Sequence, residues 1–183
     1  STPLHSRQRQ MCIRDSGTTL SAAGFSTAGV VANVHLSPLL GMSAGYQHWD
    51  YHDGDIAENQ VDRALAWLTA RRTEDSFLFV HFMDPHVFYL APGEHRDRFT
   101  EGLSPGGVPD RFNRWSIASR EEVTPLTDEE RAFIEARYDG ELSYLDAQLG
   151  RLIHSTLALP GETLIILHSD HGEEFWELSL IHI

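Results

Sequence analysis

Apolar and polar positions along the chain alternate between short apolar runs and longer amphipathic stretches. Thr18 to Ala23 reads as a short helix stopped by Gly24, and Thr27 to Ala32 (TAGVVA) as a buried strand with Asn33 at its carboxyl end. Asp55 and Glu58 have capping-box spacing and predict a helix through about Arg72, with Val61, Ala64, Leu65 and Leu68 on one face. Phe77 to Phe82 (FLFVHF) is continuously apolar over a strand's length, which predicts a strand covered on both faces. A second capping box, Thr127 with Glu130, opens a long helix. Its stripe of Phe133, Tyr138, Leu142, Leu145, Leu149 and Leu152 runs to about Ser155. After Pro160 and Gly161, Thr163 to His168 (TLIILH) predicts one more covered strand. Strand, helix, strand, helix, strand in this order predicts an α/β fold, a mostly parallel sheet with helices on both faces.

Ala91 to Leu126 interrupts that order. Pro92, Gly93, Gly102, Pro105, Gly106, Gly107, Pro109 and Pro125 forbid a regular element there. Aperiodic stretches of this length inside a domain are often functional. This one carries Arg96, Arg98, Arg111, Arg114 and Arg120, cations suited to an anionic substrate; the alternative is a solvated surface insertion.

Composition narrows the function classes. The 183 residues are 41% hydrophobic and 22% charged, values of a globular domain. The formal charge of −13 argues against nucleic acid or an anionic membrane as partner. All 14 basic residues are Arg, and lysine is absent. No apolar run approaches the ~20 residues of a membrane helix. The single Cys12 excludes an intramolecular disulfide. Ser1 to Ser16 and Leu178 to Ile183 have neither helical nor strand period. MCIRDS and LSLIHI within them resemble translated adapter sequence of the kind found at the ends of metagenomic assemblies. Residues 1–16 and 178–183 are therefore read as non-native ends around a native stretch, 17–177.

Candidate chemistry gathers at two predicted strand ends, where parallel α/β sheets bind ligands. Phe77 to Phe82 leads into Asp84-Pro85-His86, with Tyr89 beyond. Thr163 to His168 leads into Ser169-Asp170-His171-Gly172-Glu173-Glu174. Adjacent Asp170 and His171 can bind one divalent cation through oxygen and imidazole nitrogen, and Gly172 leaves room beside the ion. His86, on a separate loop, can exchange a proton with a departing oxygen or hydrogen-bond an anion. Asp84 reads first as a turn cap ahead of Pro85, with a ligand role as the alternative. His81 and His168, inside apolar runs, read as core histidines. His35, His48, His52, His95 and His154 read as structural or surface residues, and Asp139 and Glu141 as solvated or helix-pairing. Cys12 has no strand-turn-helix context and is rejected as a nucleophile.

FLFVHFMDPHVFY, RYDGELSYLDAQLGRLI and TLIILHSDHGEEF resemble three successive blocks of the sulfatase family, within the alkaline phosphatase superfamily. AAGFSTAGVVANVHLSPLLGMSAGYQHWD is similar to the segment before those blocks, so the resemblance covers about Gly17 to Glu177. It implies an alkaline phosphatase-like fold in truncated form, 17–177 being part of a catalytic domain that hydrolyses sulfate esters. It further implies Asp170 and His171 as metal ligands, and His86 as the residue that contacts the sulfate or protonates the leaving alcohol. Calcium is the implied cation; His171, softer than the Asn or Asp of many calcium members, leaves manganese or zinc open. The implied substrate is a small-molecule or glycan sulfate ester. The family's nucleophile is a formylglycine made from Cys or Ser in a C/S-x-P/A-x-R context, and CIRDS around Cys12 lacks that pattern. The paired acidic ligands near the family's amino end and its active-site lysine also have no counterpart. Formylglycine is accordingly expected only upstream of this stretch, and the chain alone is expected to be inactive. A phosphodiesterase, phosphonate hydrolase or phosphoryl transferase of the same superfamily is the runner-up, and a non-catalytic relative the third reading.

Overall fold

The computed structural model describes residues 15–86, 88–113, 116–117, 121 and 123–176. Contacts divide the chain into two compact units. One comprises residues up to Met83 together with Gln148–Thr163; the other comprises Asp84–Ala147 and residues from Leu164 onward.

The first unit is a parallel α/β sheet. Helix α1 covers 15–22 and includes Asp15 and Ser16, two residues ahead of Gly17. Gly24 ends it at φ 96°: the Phe25 N–H donates to the Leu20 carbonyl and the Gly24 N–H to that of Ser21. This is a Schellman closure, which a residue with a Cβ adopts only under strain. Strand β1 (Ser26–Val31) is central, with β2 (His48–Tyr51) on one side and β3 (Ser76–His81) on the other, both parallel to it. Gly29 lies under the Trp49 ring, where a Cβ would come within 2.3 Å of the indole. Trp49 stacks on Phe79 of β3, and its indole N–H donates to the Leu36 carbonyl. Helix α2 (Ala57–Ala70) packs on β1 and β3 through Ala57, Val61, Ala64 and Trp67. Its Gln60 is fully buried and donates from Nε2 to the His81 carbonyl at 2.7 Å.

Several sequence expectations need correction here. Strand β2 carries no apolar signal, because His48 and Asp50 interrupt it. Ile56, not Asp55, takes the N-cap position of α2, and its own side chain makes no capping bond. The Asp55 carboxylate accepts from the Ile56 N–H, Asn59 and Arg63. Every β3 residue is half-buried rather than covered on both faces, since β3 is an edge of the three-stranded sheet. Thr163 to His168 is not a strand. It is irregular and exposed, Leu164 to 86%. An apolar run states what environment a segment favours; its backbone forms a strand only where a neighbouring strand accepts its hydrogen bonds.

The second unit is built on helix α3 (Asp128–Leu157), whose C-terminal part lies in the first unit. Its capping box forms as read: the Glu130 N–H donates to Thr127 Oγ1 at 3.2 Å, and the Thr127 N–H to Glu130 Oε2 at 2.9 Å. Glu130 Oε1 also accepts from the Gly107 N–H at 2.8 Å, so one carboxylate ties the long loop to the helix start. The buried face of α3 differs from the expected stripe: Phe133, Ile134, Arg137, Gly140, Glu141 and Tyr144 are buried, and Leu142 is exposed. The stretch 91–126 is no solvated insertion. Val108, Phe112, Ile117 and Leu126 enter one core cluster with Tyr89, Phe133 and Ile134. No helix among the described residues is long and apolar enough to cross a membrane.

Candidate active site

β3 delivers the chain into a turn at Asp84 and Pro85, then to His86, whose side chain is exposed. Tyr89 turns the other way and is buried in the core cluster. Arg137 fixes the backbone there, donating from Nε (3.2 Å) and Nη2 (2.9 Å) to the Tyr89 carbonyl. Glu141 accepts from the Leu90 N–H. Arg137 and Glu141 are thus charged residues used one helical turn apart to satisfy consecutive backbone groups. The reading of Glu141 as a solvated or helix-pairing residue fails for this reason, whereas Asp139 is exposed as expected.

Asp170 and His171 do not follow a strand, since 163–168 is irregular, and both are exposed, His171 to 75% on its side chain. His168 is exposed as well, not a core histidine. The second motif is held from its far end instead. The Tyr89 hydroxyl donates to Glu173 Oε2 at 2.8 Å, and Phe175 packs edge-on against Tyr138, ring centroids 5.3 Å apart. The Trp176 indole N–H donates to Glu135 of α3. The described contacts therefore bring the DPHVFY and DHGEEF segments together through Tyr89 and Glu173. Burial, and next the Glu173 carboxylate, hold the Tyr89 phenol well above its ordinary pKa, so it stays a donor.

Within the Asp-His pair, ring nitrogen Nδ1 of His171 lies 2.7 Å from the Gly172 carbonyl. Donation from Nδ1–H leaves the Nε2 lone pair outward, the arrangement of a metal-ligating histidine. Nε2 lies 3.9 Å from Asp170 Oδ1. Two donors about 2.0–2.4 Å from a common ion sit roughly 3–4 Å apart, so this donor set fits a divalent cation. The Gly172 carbonyl, then the Asp170 carboxylate, raise the His171 pKa from its ordinary value. Among the described residues no group of three or more His, Cys, Asp or Glu is arranged around one ion. Cys12, Arg114 and Arg120 lie outside the described residues. Of the other loop arginines, Arg96 pairs with Asp110, Arg98 donates to Ser143, and Arg111 lies over the Phe88 ring at 4.3 Å.

Burial pushes the Glu141 carboxyl up to about 7. Its pKa in an unfolded chain is ~4.3, so the folded state holds the proton more tightly, and this contribution is complete below pH ~4. It is lost as pH rises through about 7. Glu141→Gln is therefore expected to flatten the stability profile between pH 5 and 8, and to raise stability at pH 8 by roughly 1–3 kcal/mol. Urea denaturation at several pH values checks this.

The parallel sheet defines an α/β protein, in which Tyr89 and Glu173 join the DPHVFY and DHGEEF segments. The sulfatase family model matches residues 11–179, and the chain belongs to the sulfatase family. It is 29% identical over 147 residues to human iduronate 2-sulfatase and 28% identical over 148 residues to the mouse protein of that name (Mus musculus). Each alignment covers 67% of this chain and 27% of the relative, so the chain spans about a quarter of the length of these curated relatives. No solved structure matches it.

Proposed function

We propose that residues 17–177 are part of the catalytic domain of a metal-dependent hydrolase of sulfate esters, with a sulfated glycan as substrate class. The reading is carried by the Tyr89–Glu173 hydrogen bond, which docks the Asp-His-Gly segment onto the Asp-Pro-His segment. The names of the iduronate 2-sulfatases support a sulfated sugar as the first substrate to test. Asp170 and His171 hold a divalent cation, calcium by family resemblance and manganese or zinc by the softness of the imidazole. The cation, when bound, neutralises the ester's negative charge and lowers the pKa of the attacking group. His86 hydrogen-bonds the anionic group and gives a proton to the departing alcohol oxygen. Tyr89 orients the second segment by donating to Glu173, and Gly172 fixes the His171 tautomer through its carbonyl.

The 183-residue chain by itself turns over no sulfate ester in this reading. CIRDS around Cys12 lacks the C/S-x-P/A-x-R nucleophile pattern, and the chain contains no lysine. Two adjacent ligands also leave most positions around an ion to water, which predicts weak binding, with Kd on the order of 10⁻⁴–10⁻³ M. Calorimetric titration of the chain with Mn²⁺ alone tests the site. His171→Ala is expected to abolish the binding, and Tyr89→Phe to weaken it a few-fold by releasing Glu173. Unchanged affinity in His171→Ala would remove the pair from the metal site.

A further inference from the structure

Arg137 and Glu141 are 2% and 4% exposed on the buried face of α3, where apolar residues of similar size would hold the fold about as well without the desolvation cost of two charges. What the pair holds is a single peptide unit. Arg137 donates from Nε at 3.2 Å and from Nη2 at 2.9 Å to the Tyr89 carbonyl. Glu141 Oε1 accepts from the Leu90 N–H, the other end of the same peptide. A peptide is planar, so gripping its oxygen and its N–H together fixes the plane. With the plane fixed, the direction in which the Tyr89 side chain leaves the backbone is fixed too. The guanidinium suits this task because its fork makes two charge-assisted bonds to one oxygen.

The gripped residue is the one that reaches both halves of the site. His86 lies three positions before Tyr89 in the chain. The Tyr89 ring packs edge-on against Phe112 and Tyr138, centroids 5.6 and 5.5 Å away, and its hydroxyl donates at 2.8 Å to Glu173, two positions beyond His171. From this we infer that Arg137 and Glu141 are positioning residues, which fix the 89–90 peptide and thereby set where the Asp170–His171 pair stands relative to His86. That this placement serves ester cleavage rests on the function proposed above; that the grip reaches His171 through Tyr89 and Glu173 does not. Neither residue acts on the ion or the ester. Burial, and then the Asp84 charge, hold the Glu141 carboxyl up at about 7. Such a carboxyl offers an acceptor oxygen to Leu90 whether or not it is ionised, so the amide oxygen of glutamine can replace it. Leucine, of similar size, cannot.

The test compares Glu141→Leu with Glu141→Gln in the full chain, by calorimetric titration with Mn²⁺ and by NMR of the His171 ring. Glu141→Leu is expected to shift the ring resonances and weaken Mn²⁺ about three- to tenfold, while Glu141→Gln stays within about twofold of the parent. In a Tyr89→Phe background, Glu141→Leu should add less than about twofold, because both changes act through the same link to Glu173. Arg137→Lys keeps the charge and loses the fork; it is expected to weaken Mn²⁺ as Glu141→Leu does, and it decides the question if Glu141→Leu fails to fold. In the chain completed with flanking sequence, both should lower kcat for a sulfate ester by roughly 10–10²-fold, with KM within about twofold. Equal effects of Leu and Gln at position 141, or full additivity with Tyr89→Phe, would overturn the inference. Unchanged Mn²⁺ affinity and kcat in Glu141→Leu and Arg137→Lys, beside loss of metal in His171→Ala, overturns it alone. A His171 ring shift in Glu141→Leu but not in Glu141→Gln, with metal affinity intact in His171→Ala, supports the grip and overturns the metal site.

Discussion

Alanine in place of His86, in the chain completed with the flanking sequence of a full-length family member, is expected to lower kcat for a sulfate ester by roughly 10²–10⁴-fold. Metal affinity should stay within about a factor of two, because His86 acts on the leaving oxygen and not on the ion. His171→Ala should do the reverse at the first step, lowering metal affinity at least about tenfold, with activity recovered in part by excess metal. Calorimetry beside steady-state kinetics separates the two. Loss of metal affinity in His86→Ala would place that histidine in the ion's coordination shell and revise its role.

The largest stability effect is expected at Gly140. A Cβ there would lie 2.6 Å from the His95 carbonyl oxygen and 3.3 Å from that of Arg96, both backbone atoms of the loop crossing α3. Neither can yield without moving the chain, so Gly140→Ala should cost about 2–4 kcal/mol and lower Tm by roughly 5–15 °C. Gly150 lies in the same helix with nothing within 4 Å of an added Cβ. Gly150→Ala should therefore stabilise by about 0.5–1 kcal/mol through helix propensity. Thermal melts of the two variants, opposite in sign, test whether the loop packs on α3 as described. Equal shifts would contradict that packing.

What was legible in the sequence was local. The Thr127–Glu130 box formed because both partners lie within one turn, and β1, α2 and β3 followed from apolar runs and helical spacing. The Asp55–Glu58 pattern looked the same, but Ile56 takes the N-cap of α2, and the Asp55 carboxylate also accepts from Asn59 and Arg63. The α3 stripe went wrong where Arg137 and Glu141 are drawn inward by the carbonyl of Tyr89 and the N–H of Leu90, about fifty positions away in sequence. Val108, Phe112, Ile117 and Leu126 anchor the long loop at irregular intervals that carry no period. Thr163 to His168 has a strand's composition without a described partner. The candidate site divides in the same way. His86, Asp170 and His171 stand out by residue type and spacing, whereas the Tyr89–Glu173 bond joins positions 84 apart and leaves no local trace.

The central claim is that the two docked segments serve sulfate-ester hydrolysis, and substrate choice tests it most directly. The completed enzyme should hydrolyse a chromogenic sulfate monoester in preference to a matched chromogenic phosphodiester, with both activities lost in His171→Ala. Preference for the phosphodiester, or sulfate turnover that survives His171→Ala at limiting metal, would contradict the account.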